Sequence, residues 1–399
     1  MPSESAKWQY IENSAREICA LYNFKEIRTP VFEHTELFLR GVGDTTDIVN
    51  KEMYTFNDKG NRSITLKPEG TAGVCRSVIE NSLLEGVLPL KTYYFTPVFR
   101  YERPQSGRLR EHHQFGVEVF GAAGAETDAE IIALAYNFLN KSGITETKLN
   151  INSIGCKTCR GGYNAKLREF LNKNTENLCP DCKTRSESNP LRVLDCKVEA
   201  CKEICKNAPK ILDFLCEECQ SHFNALQAYL AKIGINFAVN PNIVRGLDYY
   251  TKTVFEFVST GIGAQGTICG GGRYDNLIES LGGKPSPAVG FGMGIERLLL
   301  VLESQNITIN NQKRVDYFIG YIGNEAALLL KAKEFALAKT FELRAQGFIC
   351  EFESMGRSVK AQLKYADKIN AKYVIIIGED EIKSGKYTVK DMDADISKK

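Results

Sequence analysis

Several features that would assign this chain to a special class are missing from its sequence. Lys and Arg total 51 against 49 Asp and Glu, so a net charge of +2 excludes binding to nucleic acid through the field of the whole molecule. No apolar run is long enough to span a bilayer, and residues 1–8 lack the apolar centre of a signal peptide. We therefore expect a cytoplasmic protein with reduced thiols and without membrane contact.

The sequence also lacks internal repeats, low-complexity segments and the two common glycine-rich nucleotide motifs. Neither Gly-x-x-x-x-Gly-Lys-Ser/Thr nor Gly-x-Gly-x-x-Gly after a strand occurs in the first part of the chain. A P-loop or a Rossmann turn is therefore excluded there as the holder of a nucleotide.

The length and composition indicate a soluble globular protein with more than one domain. At 399 residues the chain is too long for one ordinary core, and 43% of it is hydrophobic and 25% charged. Hydrophobic periodicity predicts helices at 5–23, 71–84 and 126–142. Alternation of apolar and polar residues predicts two antiparallel strands at 91–102 and 114–120.

Changes in composition divide the chain into five predicted parts. Residues 1–149 and 236–303 share the strand-rich pattern, and the cysteine-rich segment 150–235 interrupts them as an insertion of short helices. Polar residues 304–314 form the predicted linker. The βαβαβ order of 315–399 predicts a small α/β domain with a parallel or mixed sheet.

Cysteines are abundant rather than scarce, which is unusual for a reducing compartment. Nine of the thirteen lie in the insertion, and six of these form the pairs Cys156/Cys159, Cys179/Cys182 and Cys216/Cys219. Two thiolates on one tight turn can share a tetrahedral zinc ion, and the first two pairs have the separation of a zinc ribbon. We expect structural zinc on Cys156, Cys159, Cys179 and Cys182; reduced, half-buried thiols without metal are the alternative.

The stretch that says most about a binding site is Arg245-Gly-Leu-Asp-Tyr-Tyr250, followed by Gly270-Gly-Gly-Arg-Tyr-Asp275. Glycine lets a backbone approach a ligand closely, and arginine offers a planar fork of donors for phosphate or carboxylate. Tyrosine adds an apolar ring with a hydroxyl at its tip. Together these residues favour a pocket that holds a phosphate beside a flat, polar group. A strand, a turn and a strand with tyrosines in the core are the alternative interpretation.

Further motifs accompany this stretch: Arg28-Thr-Pro-Val-Phe-Glu33, Phe99-Arg-Tyr-Glu102 and Gly290-Phe-Gly-Met-Gly-Ile-Glu-Arg297. Arg100 and Glu102 are two residues apart on a strand, so both side chains point to the same face. One can pair with a phosphate while the other accepts a hydrogen bond from a base. Arg297 begins a helix after a glycine-rich strand and is suited to a distal phosphate.

This set of motifs resembles the signature motifs of class II aminoacyl-tRNA synthetases, and the two tyrosine-containing motifs are similar to those of the bacterial histidyl-tRNA synthetases. The resemblance covers nearly the whole chain. It implies an α+β fold: an antiparallel sheet flanked by helices, a helical cysteine-rich insertion and a C-terminal α/β anticodon-binding domain. It also implies a homodimer, with Pro30 in the interface motif, that joins L-histidine to tRNA(His) by way of an adenylate made from ATP and Mg²⁺.

The resemblance assigns roles to individual residues. Those implied to bind histidine are Glu69, Gly70, Thr71, Arg100, Gln114, Glu118, Arg245, Tyr249, Tyr250 and Tyr274. Those implied to bind ATP are Arg100, Glu102 and Arg297. Those implied to aid catalysis with fixed positive charge are Arg100, Arg245 and Arg297. Those implied to cover ATP and touch the tRNA acceptor end are Arg103, Arg108 and Arg110.

Two other interpretations compete with an active ligase. One is a non-catalytic paralogue that regulates a transferase of histidine biosynthesis, although such paralogues tend to lose the motif at 245–250 and the C-terminal domain. The other is a zinc-dependent RNA-binding module dominated by the insertion. Both ends of the chain look shortened relative to the family, which we expect to affect dimer packing and anticodon reading more than adenylate chemistry. We expect His112 and His113 to be solvated or to face RNA.

Overall fold

The computed structural model describes residues 1–43, 46, 48–105, 107–196, 198–259, 266–307, 309 and 314–394. These form two compact units, Met1–Ile309 and Asn310–Lys399. Within the described part of the chain, no helix combines the length and apolarity needed to cross a membrane.

The first unit is built on one large sheet and one small one. The strands of the large sheet are β1 (Lys25–Glu26), β5 (Leu90–Phe99), β6 (Glu111–Phe120), β7 (Thr147–Ser153), β8 (Ala238–Val239), β9 (Thr251–Ser259), β10 (Thr267–Arg273) and β11 (Ala288–Gly294). Their order is β1-β5-β6-β11-β10-β9-β7-β8, and only the outermost pairs β1/β5 and β7/β8 are parallel. The small antiparallel sheet comprises β2 (Phe32–His34), β3 (Tyr54–Asn57) and β4 (Ser63–Leu66).

Helices flank the large sheet and fill the insertion. The α-helices of this unit are α1 (Pro2–Leu21), α2 (Thr35–Val42), α3 (Thr71–Glu80), α4 (Ala125–Lys141), α5 (Lys157–Lys173), α6 (Pro180–Ser188), α7 (Glu199–Cys205), α8 (Glu217–Lys232), α9 (Leu277–Ser280) and α10 (Ile295–Ser304). The predicted antiparallel sheet flanked by helices is therefore confirmed. The predicted domain boundaries at 149/150 and 235/236 stay predictions.

Alternation along β6 separates the core from the site. Phe115, Val117 and Val119 are fully buried in the main hydrophobic cluster, where the aromatic rings of Phe138 and Phe291 contact Phe115. Because successive side chains of a strand point to opposite faces, the even-numbered residues of β6 face the other way. The sheet thus has one face packed on helices and one face free to form a pocket.

The second unit carries a four-stranded mixed sheet, as predicted. Its elements are β12 (Tyr317–Tyr321), α11 (Ala326–Ala345), β13 (Cys350–Phe352), α12 (Val359–Lys368), β14 (Tyr373–Ile377), α13 (Glu379–Ser384) and β15 (Val389–Asp391). The order is β13-β12-β14-β15, with the first three strands parallel and β15 antiparallel.

Some predicted elements are shorter in the structure. The helix predicted at 71–84 ends at Glu80, because Ser82 adopts a left-handed conformation with φ of 52° that an α-helix cannot contain. The sequence of residues 25–31 also predicts a strand that enters a loop at Pro30, and the structure has only the short β1 there, because the chain leaves the sheet edge before Pro30.

Candidate active site

A cavity of about 290 Å³ opens on the pocket face of the large sheet. Gln114 and Glu118 of β6 contribute to its lining, and Gly294 and Gly290 of β11 lie opposite them in the antiparallel ladder. The site is therefore built on adjacent central strands, which hold side chains more rigidly than loops do.

Glycines make room for the functional side chains. A methyl group on Gly290 would overlap the carboxylate of Glu118, and one on Gly292 would overlap the amide of Gln114. The ring of Tyr94 lies where a side chain on Gly116 would be. The glycine spacing of the sequence is thus a requirement for space on one face of the sheet.

Glu118 lies at the closed end of the cavity among hydroxyl groups. Thr71 Oγ1 donates to Glu118 Oε1 at 2.8 Å, and Tyr94 Oη donates to the same oxygen at 3.1 Å. Tyr274 Oη donates to Glu118 Oε2. Burial raises the pKa of Glu118 to about 8, and the three hydroxyl groups oppose that rise only in part. Glu118 is 1% exposed, and among the residues that the structure describes its side-chain hydrogen-bond partners are these neutral hydroxyl groups.

Glu69 occupies the start of α3. Its carboxylate accepts from the backbone N–H groups of Thr71 at 2.7 Å and Ala72 at 2.8 Å. Gln114 Oε1 accepts from the backbone N–H of Gly70 at 3.1 Å, which ties β6 to the same turn. Burial raises the pKa of Glu69, while the helix N–H groups favour its ionised form. Two acids and an amide therefore converge on one part of the cavity.

Arg245 reaches the cavity from the loop before β9. Its guanidinium forms an ion pair with Glu256 and lies 5.9 Å from the centre of the Tyr250 ring. A methyl group on Gly270 would overlap that guanidinium, so the glycine of β10 lets the arginine lie against the sheet.

The remaining cations gather where β6 begins. Arg100 Nε donates to the carbonyl of Pro68 at 2.8 Å, and Arg297 Nη1 donates to the carbonyl of Thr267 at 2.6 Å. His112 also lines the cavity; burial, together with the charges of Arg100 and Arg297, lowers its pKa to about 3. This part of the cavity is therefore strongly positive and suited to phosphate.

Glu102 is already engaged in the structure. Its carboxylate pairs with Arg108, which also lines the cavity. A ligand that uses Glu102 as an acceptor must therefore share it with Arg108 or replace it.

Every residue predicted to bind histidine or ATP lines this cavity except Gly70, which lies behind the lining under the ring of Tyr94. Their common location does not test the individual roles, which stay predictions. His112 is half-buried and lines the cavity, and the expectation that it is solvated or faces RNA stays a prediction. His113 binds Glu296 at 3.0 Å and packs edge-on against Trp8. Sequence reasoning also missed Tyr94, whose only signal was a tyrosine on a strand with functional residues.

Arg273 follows the glycine triplet but does not belong to the cavity. It is fully buried and donates to Asp128 through Nε at 3.0 Å and through Nη2 at 2.5 Å. His222 binds the second oxygen of Asp128 at 2.7 Å. This network joins α4, β10 and α8, so Arg273 supports the fold behind the site.

The predicted zinc set was wrong in its pairing. Cys156 and Cys159 lie with Cys216 and Cys219, and Cys179 and Cys182 lie with Cys196 and Cys201. Fourteen residues of α5 follow Cys159 and lead the chain away from it over about 21 Å of helix, and Cys179 and Cys182 join a different group of sulfur atoms. The start of α8 instead brings the third pair back to the first.

Comparison with known proteins agrees with this geometry. The family described as histidyl-tRNA synthetase matches residues 1–298, and the anticodon binding domain matches residues 321–399. The histidine–tRNA ligase of Thermoanaerobacter pseudethanolicus is 61% identical over 392 residues, which are 98% of this chain and 92% of that protein. That of Acetivibrio thermocellus is 56% identical over 393 residues, with 98% and 93% covered.

Solved structures show the same relationship. The apo histidyl-tRNA synthetase of S. aureus superimposes with a TM-score of 0.81 at 38% identity, covering 100% of this chain and 96% of that one. A Bacillus halodurans protein described as an ATP phosphoribosyltransferase regulatory subunit/histidyl-tRNA synthetase gives 0.62 at 25% identity, covering 94% and 95%. The sheet, the pocket and the C-terminal domain define an aminoacyl-tRNA synthetase of class II. Within that class, the chain belongs to the histidyl-tRNA synthetase family.

Proposed function

We propose that this protein activates L-histidine with ATP, taken up as its Mg²⁺ complex, and transfers the histidyl group to the 3′ end of tRNA(His). The observation that carries the proposal is one cavity with buried acids at one end and arginines at the other. An amino acid carries a cationic amino group and a carboxylate, and ATP carries polyphosphate, so the two substrates match the two ends in charge.

The acidic end is proposed to hold the histidine side chain and amino group. Glu118 with Tyr274 would hydrogen-bond the imidazole, while Glu69 and Gln114 would bind the α-amino group. A pocket that pairs both imidazole nitrogens leaves buried polar groups unpaired when another amino acid enters. This arrangement supports discrimination without an editing step.

The basic end is proposed to carry out adenylation. A carboxylate oxygen of histidine attacks the α-phosphorus, the bond from phosphorus to the bridging oxygen breaks, and pyrophosphate leaves. Arg100 and Arg245 would hold the developing negative charge, and Arg297 would hold the γ-phosphate. The terminal ribose hydroxyl of the tRNA then attacks the histidyl carbonyl, and AMP leaves. Glu102 would accept from the adenine amino group once Arg108 has moved.

The family also supports a homodimer that works in the cytoplasm. The competing regulatory role finds a parallel in the B. halodurans protein, whose description names both functions. The intact cavity favours the ligase, because the residues at 245–250 remain in place against β10.

Histidine-dependent exchange of pyrophosphate into ATP tests the proposal. We expect exchange with histidine and with no other amino acid of a standard panel. Arg245→Ala should reduce it by about 100-fold or more, because a fixed charge at the reacting phosphate is worth about 3 kcal/mol. A folded wild-type protein without exchange would overturn the proposal and favour the regulatory role.

A further inference from the structure

Eight cysteines of the insertion form two compact groups in three dimensions. The first group is Cys156, Cys159, Cys216 and Cys219, and the second is Cys179, Cys182, Cys196 and Cys201. Within each group the four sulfur atoms all lie within 4.8 Å of one another. All eight thiols are free, so neither group is a set of disulfides.

The spacing of the sulfur atoms fits one tetrahedral ion in each group. A Zn–S bond of about 2.3 Å places neighbouring sulfurs of a tetrahedron about 3.8 Å apart. Cys156 Sγ and Cys159 Sγ are 3.6 Å apart, and Cys179 Sγ and Cys196 Sγ are 3.9 Å apart. A disulfide would require about 2 Å.

In each group one sulfur atom accepts a hydrogen bond from the backbone. The N–H of Cys216 donates to Cys159 Sγ at 3.1 Å, and the N–H of Cys179 donates to Cys201 Sγ at 3.3 Å. These bonds fix the positions of the two sulfur atoms within their groups. Cys205 provides the contrast: it is buried in the same cluster, but its Sγ donates to the Val193 carbonyl at 3.5 Å and it joins neither group.

The two groups are nested along the chain. Cys156 precedes α5, at the entry to the insertion, and Cys216 precedes α8, at its exit. The outer group therefore closes the neck of the insertion. The inner group, from Cys179 to Cys201, lies wholly inside the segment that the outer group closes.

We propose that the insertion binds two structural Zn²⁺ ions, one in each group of four thiolates, and that the inner ion also positions the loop that carries Arg245. Two soft, tetrahedral thiolate sets are the ligand type that selects zinc. The insertion is a small module with a cluster of modest size, which is the situation in which proteins use metal for stability.

The positioning role follows from the segment between the inner ligands. Arg192 and Asn189 lie between Cys182 and Cys196. Arg192 Nη2 donates to the carbonyl of Gly246 at 2.5 Å, and Asn189 Nδ2 donates to Asp248 Oδ1 at 3.1 Å. Both acceptors are neighbours of Arg245 in the chain. The inner ion would thus fix the segment that contains Asn189 and Arg192, and this segment hydrogen-bonds the loop of Arg245. That this positioning matters for activity rests on the proposed function.

Metal analysis of the full chain, purified without chelator, tests the two sites. We expect two zinc ions per chain in the wild type, one in Cys156→Ser, one in Cys196→Ser and two in the matched control Cys205→Ser. Cobalt exchanged into each single-site variant should show the visible absorption of a tetrahedral thiolate complex. Fewer than one zinc per folded wild-type chain, or iron in its place, would overturn the proposal.

The two zinc sites can also be tested without any variant, in case a substituted protein fails to fold. Titration of the folded wild type with an organomercurial should release two zinc ions as the eight ligand thiols among its thirteen cysteines react, and release of no zinc would be decisive against both sites. For positioning, Arg192→Ala should keep both ions and raise the KM for histidine in the exchange assay by about tenfold. An unchanged KM would refute the positioning role, whereas absence of exchange in a wild type with two zinc ions would refute the proposed function instead.

Discussion

In the substrate-free protein, stability should fall as the pH rises because Glu118 ionises, and Glu118→Gln should abolish this part of the fall. The folded pKa of Glu118 is about 8 because of burial, against 4.5 for an ordinary glutamic acid. A raised folded pKa means that stability is fully present below pH 4.5 and is lost as the pH rises through 8. At about 1.36 kcal/mol per unit, ionisation of Glu118 should cost about 2 kcal/mol between pH 6 and pH 8. Glutamine has nearly the same shape and cannot ionise.

Urea denaturation at the two pH values measures this loss. The sequence has a single tryptophan, Trp8, and it packs on His113 in the unit that contains Glu118, so its fluorescence follows the relevant unfolding. All other titrating groups are common to both proteins. The difference in unfolding free energy between Glu118→Gln and wild type should therefore grow by about 2 kcal/mol from pH 6 to pH 8.

A difference that stays constant between pH 6 and pH 8 would refute the reasoning, because it would mean that Glu118 does not titrate in that window. The same variant should lose histidine-dependent exchange by about 100-fold, since a buried charge-assisted hydrogen bond is worth up to about 3 kcal/mol. If Glu118→Gln is more stable than the wild type at pH 8 and also loses exchange, the carboxylate of Glu118 is needed for substrate binding although it destabilises the empty protein.

Two further substitutions test the arginines on either side of the sheet. Gly270→Ala should reduce exchange by about 100-fold while the protein stays folded, because the new methyl group displaces the flexible guanidinium of Arg245. The control is Gly161→Ala, at an open position of α5. Equal exchange in the two variants would contradict this prediction. Asp128→Asn should lower the unfolding free energy by about 3 kcal/mol in urea, because the buried Arg273 loses the carboxylate of Asp128 and keeps its ion pair with Asp275. A loss under about 1 kcal/mol would contradict this reasoning.

The candidate site could be predicted largely because its residues are set by strand alternation. Gln114 and Glu118 are four residues apart on one strand, so they must share a face, and Gly290 and Gly292 keep the facing strand clear. The sequence pattern therefore implies which side chains meet once the strands pair. The extents of regular elements were harder to predict, since a single left-handed residue such as Ser82 ends a helix that periodicity would continue.

The cysteine pairing and the location of His112 could not be predicted for a different reason. Which Cys-x-x-Cys pairs meet depends on where α5 and α8 lead the chain, and sequence spacing does not contain that direction. His112 begins a strand beside a basic loop, a context that is typical of a solvated residue. In the structure it lies in the electrostatic field of Arg100 and Arg297, and Arg297 is nearly two hundred positions away in the chain.

The two ends of the cavity differ in how their charges are compensated before substrate arrives. At the phosphate end two of the cations already pair with a carboxylate of the protein: Arg245 pairs with Glu256, and Arg108 pairs with Glu102. A nucleotide that uses these two arginines exchanges one ion pair for another, so the net gain from them is modest. Glu118 has hydroxyl groups as its hydrogen-bond partners, which leave its ionisation costly. If histidine binds as proposed, its cationic group would supply the compensation that these hydroxyl groups do not, and we expect selectivity to be strongest at this end of the cavity.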